Sequence, residues 1–183
     1  MTHPSCKKRY TIDGAVASIV YEGIVKRLIY RFKYAPYTAD LVGVLSELFS
    51  EGIIQKEAIM HVLALYPDSV LVPIPLHPAR LKKRGYNHAM LLAQRLGAHL
   101  GLPVQDILKR QKQTLVQASL SLEQRQENLR NAFMINARVG KGYTTVFLVD
   151  DLVTTGTTFL ESAKVLKMHG VQRVYGVALA RGK

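Results

Sequence analysis

The chain has 183 residues, of which 48% are apolar and 21% charged, so it is long enough for one α/β domain with a buried core and too short for two large ones. Its single cysteine, Cys6, excludes an intrachain disulfide and a zinc site built only from cysteines of this chain. The net charge of +12 calls for anionic partners, and nucleic acid, a polyphosphate metabolite or an anionic membrane surface would each satisfy it.

Neither the start of the chain nor its apolar runs indicate export or membrane insertion. The first ten residues are basic, but no apolar core with a small-residue cleavage site follows them directly, so they do not resemble a secretory signal. No stretch approaches the ~18 consecutive apolar residues of a transmembrane helix. We therefore expect a cytoplasmic protein without membrane insertion.

Strand and helix signals alternate in the first part of the chain. β-branched and aromatic residues predict a strand over residues 15–21, and apolar residues at helical spacing between basic ones predict a basic amphipathic helix over residues 23–34. Helical patterns resume at Thr38 and again over residues 56–65. The apolar run 69–75 ends in prolines, which is typical of a buried strand that stops sharply.

The middle of the chain carries two polar segments. The first follows the predicted strand 69–75 and is interpreted as a loop rich in charge, with Arg80, Lys82, Lys83, Arg84 and Gly85. A helix is predicted over residues 87–100. Residues 111–121 are rich in glutamine, serine and threonine and lack apolar periodicity, which predicts a mobile loop before a helix over residues 122–133.

The last third of the chain completes the alternation. Strands are predicted over residues 144–150 and 173–180. Between them, Thr158 and Glu161 have the spacing of a capping box, which predicts the start of a helix that ends at Gly170. Because the signals alternate throughout, we predict one α/β domain over residues 1–183, with a mainly parallel sheet flanked by helices and a small N-terminal extension.

Residues 146–158, with the sequence VFLVDDLVTTGTT, carry the strongest chemical signal. Asp150 and Asp151 follow a buried strand at its carboxyl end, where open α/β sheets bind ligands. Backbone N–H groups at the following helix start can hold a phosphate, and Gly156 permits close backbone approach. Since adjacent carboxylates can accept hydrogen bonds from vicinal ribose hydroxyls, the segment suits a sugar phosphate.

This segment resembles, along its full length, the thirteen-residue phosphoribosyl pyrophosphate motif of type I phosphoribosyltransferases. An ordinary buried strand and capped helix would explain the apolar residues, but not the paired acids or the hydroxyl-rich turn. The resemblance implies a type I phosphoribosyltransferase fold. It also implies a ligand-binding loop over residues 146–158, whose contacts are Val149, Asp150, Asp151, Thr154, Thr155, Gly156, Thr157 and Thr158.

Other blocks narrow the resemblance to the ComF family of competence-associated phosphoribosyltransferase-like proteins. These blocks stand in the family's order and cover almost the whole chain from about Ala15. They are YEG at 21–23, LIYRFKY at 28–34, PIPLH at 73–77, RGYN at 84–87, a middle block from Arg110 to Phe133, and LAR at 179–181.

Two departures from the family pattern stand out. Family members commonly begin with a four-cysteine zinc module, of which only Cys6 remains here. We interpret residues 1–14 as the remnant or the truncated edge of such a module. His88 stands where the family usually has glutamine, which puts any hydrogen bond specific to an amide in doubt.

The resemblance assigns roles to residues outside the motif. Asp150, Asp151 and Arg110 are the catalytic candidates. The segment after the strand 69–75 corresponds to the family's pyrophosphate loop, with Pro75, Leu76, His77, Arg80, Arg84 and Gly85. The mobile loop that closes over the substrate would involve Thr114, Gln117 and Arg125. Magnesium is the implied cofactor, held by pyrophosphate and ribose hydroxyls, with no protein ligand beyond contacts from Asp150 and Asp151.

Simpler interpretations stand beside these roles. The basic residues of the charged segment are about as well explained, one by one, as solvated surface charges. Arg125 has Glu123 and Glu127 close by, so it also fits an ordinary surface ion pair. Tyr30 and Tyr34 alternate with basic residues and could stack nucleic-acid bases, but we expect an amphipathic helix that packs its aromatic residues into the core.

Two functions therefore follow. The first is an enzyme, a pentosyl-transferring glycosyltransferase that moves phosphoribose from 5-phosphoribosyl 1-pyrophosphate to an acceptor that the sequence does not identify. The second is a non-catalytic module that uses the same ligand site while its basic surface handles single-stranded DNA during uptake in natural transformation. The oligomeric state cannot be inferred from the sequence.

Overall fold

The computed structural model describes residues 10–34, 39–112, 122–136 and 144–182. The strands in this part are β1 Gly14–Val20, β2 Val70–Pro73, β3 Leu108–Arg110, β4 Phe133–Ile135, β5 Thr145–Val153 and β6 Arg173–Arg181. The helices are α1 Gly23–Tyr34, α2 Ala39–Ile54, α3 Glu57–Leu65, α4 Pro78–Arg84, α5 His88–Leu100, α6 Leu122–Leu129 and α7 Thr157–Met168.

Four strands form one parallel sheet in the order β1, β6, β5, β2. The pairs Val72 with Leu148 and Leu148 with Gly176 set the register across its centre. Strands β3 and β4 pair separately as a two-stranded antiparallel ribbon. The structure therefore confirms the predicted α/β class with a mainly parallel sheet flanked by helices.

The sheet is buried on both faces, as a parallel sheet requires. Successive residues of β5 point to opposite sides, so Leu148 joins a core cluster that contains Phe159 of α7. Phe147 joins the cluster on the other face, together with Phe49 of α2. Continuous apolar strands packed between two helical layers hold the carboxyl ends of the strands at one edge.

Most predicted elements are confirmed to within a few residues, and helix α1 matches its predicted bounds. The charged segment after β2 differs, because it forms helix α4 rather than a loop. His77 precedes this helix as its N-cap, with Nδ1 accepting a hydrogen bond from the backbone N–H of Ala79 at 3.2 Å. Pro78 at the first helical position has no backbone N–H to satisfy, so a short charged helix can start there.

Three further expectations were wrong in detail. The helix predicted over residues 122–133 ends at Leu129, and Phe133 begins strand β4, whose pairing with β3 depends on a distant segment. The strand predicted to end at Asp150 continues to Val153. Helix α7 starts after Gly156 with no side-chain cap, so Thr158 and Glu161 do not form a capping box.

None of the helices in the described part of the chain is both long and apolar enough to cross a bilayer. The interpretation of residues 1–14 as part of a zinc module falls largely on residues 1–9, which lie outside the described ranges.

The packing of β6 against α7 depends on Gly176. A Cβ at this position would lie 2.6 Å from Phe159 Cδ2 and 3.1 Å from Ile12 Cδ1, and Phe159 is fully enclosed in the core. We expect Gly176→Ala to lower the free energy of unfolding by about 1–3 kcal/mol, because overpacking forces the ring or the strand to shift.

Chemical denaturation checks this prediction, with Gly43→Ala as the matched control. Gly43 lies inside α2 with open space around its Cα, so alanine there should raise stability by about 0.5–1 kcal/mol through helix propensity. Equal effects of the two substitutions would contradict the proposed packing constraint.

Candidate functional site

The carboxyl ends of the four parallel strands open into one cavity of about 880 Å³. The residue that follows each strand lines this cavity. Tyr21 follows β1, Gly182 follows β6, Thr154 follows β5 and Ile74 follows β2. This is the edge at which α/β sheets place their ligands. Within the described residues, five cationic side chains and three carboxylates face this cavity.

Asp150 and Asp151 lie at the end of β5 and line the cavity. The backbone N–H of Asp151 donates to Asp150 Oδ1 at 2.9 Å, which fixes the orientation of the first carboxylate. Lys33 of α1 reaches across the cavity edge and places its Nζ 2.6 Å from Asp151 Oδ2. Asp151 is only 6% exposed, so this ion pair is largely shielded from water.

The two carboxylates have opposite pKa shifts. Burial, together with the charge of Asp151, raises the pKa of Asp150 well above its ordinary value. Burial would also raise the pKa of Asp151, but the Lys33 ammonium more than offsets it and holds this pKa at about 2. Asp150 is therefore the carboxylate that gains most from an added cation or from hydroxyl donors in the cavity.

A tight turn joins β5 to helix α7. Gly156 has a φ of +74°, a left-handed conformation that favours glycine, and Thr157 begins the helix directly after it. The hydroxyls of Thr155 and Thr157 are hydrogen-bonded to each other at 2.8 Å, while Thr154 and Thr158 line the cavity. A hydroxyl-lined turn at a helix N-terminus, beside two acids, has the chemistry to hold a phosphate.

Three arginines from separate elements face the same cavity. Arg80 and Arg84 come from α4, and Arg110 comes from β3. Arg110 is 5% exposed, and its guanidinium lies 5.4 Å from the centre of the Phe133 ring. Burial and the charge of Arg80 lower the pKa of Arg110 to about 10, and burial and Arg84 lower the pKa of Arg80. The positive charges of neighbouring arginines therefore repel one another, and a bound anion would offset this repulsion.

Arg84 is held by two contacts within the site. Its Nη1 lies 3.0 Å from His88 Nε2, and its guanidinium carbon lies 4.8 Å from the centre of the Tyr34 ring. Because an arginine can only donate, the His88 Nε2 must accept, and the ring is neutral. Histidine therefore supplies an acceptor, as the oxygen of a glutamine amide can, at this position.

The structure brings most of the residues singled out in the sequence to this cavity. Those that line it are Leu76, Arg80, Arg84, Arg110, Asp150, Asp151, Thr154 and Thr158. Thr155, Gly156 and Thr157 build the turn. Val149 is fully buried within β5 and holds strand β2 through its carbonyl, which accepts from the backbone N–H of Ile74 at 2.9 Å.

The remaining candidates have structural positions or fall outside the description. Pro75 and His77 connect β2 to α4, and Gly85 ends α4 with a φ of +81°. Thr114 and Gln117 lie outside the described residues. The backbone of Arg125 belongs to α6, but its side chain is outside the described part of the structure.

Helix α1 contributes a wall that the sequence interpretation missed. Its lining residues are Lys26, Tyr30, Lys33 and Tyr34. The expectation that the tyrosines pack into the core was wrong, since Tyr30 is 63% exposed and Tyr34 is 53% exposed, and Phe32 is buried instead. The spacing of Lys26, Tyr30 and Tyr34 at four-residue intervals places them on one helix face, and that signal was present in the sequence.

In the described ranges, no three histidine, cysteine, aspartate or glutamate side chains are grouped so that they could hold a metal ion. Three carboxylates line the cavity, and the two at the end of β5 are neighbours in the chain.

Comparison with known proteins agrees with the sequence motif and the sheet. Residues 81–183 match the family model described as a phosphoribosyl transferase domain. More than half of the chain is covered by this match, so the chain belongs to the phosphoribosyl transferase domain family.

The relatives narrow this class to the ComF family, as the sequence blocks predicted. The chain is 42% identical over 117 residues to "Competence protein F" of Haemophilus influenzae, which covers 63% of this chain and 51% of that protein. It is 38% identical over 116 residues to "DNA utilization protein YhgH" of Salmonella typhi, covering 63% and 50%. It is 29% identical over 153 residues to "Competence protein ComFC" of Bacillus subtilis, covering 82% and 56%. The chain spans about half the length of these relatives.

The buried histidine predicts a pH-dependent stability. Burial, and to a smaller extent the charges of Lys33 and Arg84 against the opposing effect of Asp151, lowers the pKa of His88 to about 4. The unfolded chain takes up this proton near pH 6.5, so the contribution of neutral His88 to stability is complete above that pH and is lost as the pH falls toward 4. Over this pH range, the free energy of unfolding of the unsubstituted protein should fall. We expect that of His88→Gln, which keeps an acceptor for Arg84, to fall by up to about 3 kcal/mol less.

Urea denaturation at several pH values between 4 and 7.5 measures this difference. His61→Gln, at an exposed position on α3, is the matched control and should follow the unsubstituted protein. Identical pH slopes for His88→Gln and the unsubstituted protein would contradict a neutral buried His88.

Proposed function

We propose that this chain binds 5-phosphoribosyl 1-pyrophosphate with magnesium and transfers its phosphoribosyl group to an acceptor. One observation carries the proposal. An acid pair, a hydroxyl-lined turn at a helix start and three arginines converge on a single cavity at the carboxyl edge of the sheet. A sugar with a phosphate at one end and a pyrophosphate at the other matches these three kinds of surface.

The turn and the acids would hold the phosphoribosyl part. The backbone N–H groups at the start of α7 and the Thr154 and Thr158 hydroxyls would bind the 5-phosphate. Asp150 would accept hydrogen bonds from the ribose hydroxyls, which would lower the free energy of its ionised form. Asp151 would keep the sugar side of the cavity in place through its ion pair with Lys33.

The arginines would hold the leaving group. Pyrophosphate departs with the electron pair of its bond to C1 of the ribose, while a nitrogen or oxygen of the acceptor forms the new bond to C1. Negative charge would therefore grow on the pyrophosphate, and the charges of Arg80, Arg84 and Arg110, which line the cavity, would stabilise it. With a pKa of about 10, Arg110 stays protonated at neutral pH and acts through its charge.

The carboxylate oxygens at the end of β5 fit magnesium, which prefers hard oxygen donors and few protein ligands when a substrate carries phosphates. Asp150 would hold it, because Asp151 Oδ2 already pairs with Lys33. When bound, the ion supplies positive charge beside the pyrophosphate.

We expect Asp150→Asn to weaken binding of magnesium and phosphoribosyl pyrophosphate by about 10- to 100-fold, because hydrogen bonds to a charged group contribute roughly 1.5–3 kcal/mol. The change is nearly isosteric. It also leaves the Asp151 and Lys33 pair intact, so the fold should persist. Isothermal titration calorimetry measures the affinity, and thermal unfolding checks the fold.

Asp68→Asn, in an exposed turn remote from the cavity lining, is the matched control and should bind as the unsubstituted protein does. Absence of heat and of thermal stabilisation with the unsubstituted protein would refute the ligand assignment. If the donor binds but no pyrophosphate is released with any of a panel of bases and amines, the transfer reaction is refuted and binding alone remains.

The second candidate is a non-catalytic module that binds single-stranded DNA. Two observations favour it. The relatives' names refer to competence and DNA utilization. The net charge is +12, and helix α1 carries Lys26, Arg27, Arg31 and Lys33 without an acidic residue. Such a surface can follow a phosphate backbone while exposed tyrosines stack on bases.

A salt series tests this second function. Binding of a fluorescent oligothymidylate should weaken steeply with salt, since each phosphate contact on a single strand contributes a slope of about −0.7. The double substitution of Arg27 and Arg31 by glutamine should flatten the slope by about 1.4. The control double substitution of Lys109 and Lys164, exposed on β3 and α7, should leave it unchanged. Absent or salt-independent binding would exclude the module.

A further inference from the structure

The exposed aromatic part of one cavity wall is not used by the proposed contacts to the phosphoribosyl donor. The turn before α7 is suited to the 5-phosphate, the acids to the ribose, and the three arginines to pyrophosphate. The wall formed by α1 instead presents two aromatic rings, Tyr30 and Tyr34, whose centroids lie 4.9 Å apart at an interplanar angle of 41°. We call these two side chains the tyrosine shelf. Both are more than half exposed while lining the cavity.

Contacts on both sides fix the position of the shelf. Lys33, the residue before Tyr34, is tied to Asp151 at 2.6 Å, so the helix that carries the shelf is anchored at the carboxylates that would bind the ribose. From α4, the Arg84 guanidinium lies 4.8 Å from the centre of the Tyr34 ring, and Arg84 itself contacts His88 at 3.0 Å. Arg84 and Tyr30 both pack against the Tyr34 ring, and such contacts lower the entropic cost of ordering it around a ligand.

The charge beside the shelf is positive. Lys26 lies one helical turn before Tyr30 on the same face and lines the cavity, with its Nζ 5.8 Å from the centre of the Tyr21 ring. One carboxylate, Glu22, also faces the cavity at the start of α1, whereas Lys26 and Arg84 contribute two cations to this side; Lys33 is already paired with Asp151. A cationic amine would be repelled there, and an anionic group would be attracted.

We propose that the tyrosine shelf is the acceptor site, and that the acceptor is a planar aromatic ring carrying an anionic group such as a carboxylate. This inference rests on the proposed transfer of phosphoribose. The ring stacks on Tyr30 and Tyr34, and its anionic group is directed to Lys26. A ring or amino nitrogen of the acceptor then forms the bond to C1 as pyrophosphate leaves, and an amino nitrogen releases one proton to solvent.

Matched aromatic probes test both parts of the proposal. Saturation-transfer NMR and calorimetry would compare nicotinic acid with nicotinamide, and anthranilic acid with anthranilamide, in the presence of magnesium and ribose 5-phosphate. Each pair shares its ring and differs in charge. We expect saturation of the ring protons and at least fivefold tighter binding of the acids.

Variants locate the binding. Replacing Tyr30 by leucine, with Tyr34 and its contact to Arg84 left in place, should weaken the acids by at least about fivefold while phosphoribosyl pyrophosphate binds within twofold of the unsubstituted protein. Lys26→Gln should abolish the preference for acid over amide while the amide still binds. The controls are Tyr10→Leu, an exposed tyrosine outside the lining, and Lys164→Gln, which should change neither quantity.

The outcomes separate this inference from the proposed function. Donor binding without any aromatic binding, or aromatic binding that the tyrosine variant leaves unchanged, would overturn the shelf while the donor site stands. Equal affinities for acids and amides would overturn the anionic acceptor. Loss of donor binding in the tyrosine variant would make the shelf a structural support.

Binding of oligothymidylate that depends on the shelf, without binding of the acids, would assign it to DNA bases instead. Failure of the donor to bind the unsubstituted protein would remove the proposed function first.

Discussion

The ion pair between Lys33 and Asp151 ties helix α1 to the end of strand β5, and the arrangement of the cavity follows from it. In the described part of the chain, this contact at 2.6 Å is the polar interaction that holds α1 at the acid pair. The pair lowers the pKa of Asp151 and leaves Asp150 as the carboxylate whose ionisation is disfavoured. Lys33 therefore anchors one wall of the site and gives the two adjacent carboxylates opposite pKa shifts.

Elsewhere in the cavity lining, like charges are held close together. Burial lowers the pKa of Arg110 and of Arg80, and their neighbouring charges add to this effect. Such an arrangement costs free energy in the unbound protein, and an anion that meets all three arginines relieves it. Perturbed acids and bases gathered in one cleft are a common property of functional sites. Their placement here matches a ligand with separate anionic and hydroxyl-bearing parts.

The sequence was sufficient for the fold class and the family, and it pointed to the edge of the sheet where the cavity lies, because these depend on local patterns. A buried strand, two acids and a small hydroxyl-rich turn are contiguous in residues 146–158, and the sheet places them where that pattern predicts. Features that depend on distant contacts were not predictable in the same way. Strand β3 exists only through its pairing with β4, and Phe133 was therefore assigned to a helix. The exposure of Tyr30 and Tyr34 was missed for another reason: their four-residue spacing with Lys26 is visible in the sequence, but it does not say whether that helix face meets the core or the cavity.

His88 shows how the local departure from the family pattern can be accommodated. Arg84 requires an acceptor, and a neutral imidazole supplies one at 3.0 Å from a position that is almost fully buried. Burial keeps the ring neutral by lowering its pKa to about 4, so the hydrogen bond is retained at neutral pH. Since Arg84 also covers the Tyr34 ring, this acceptor supports both the arginine wall and the tyrosine shelf. Histidine at this position therefore holds Arg84 at neutral pH but makes the contact dependent on a group that can titrate.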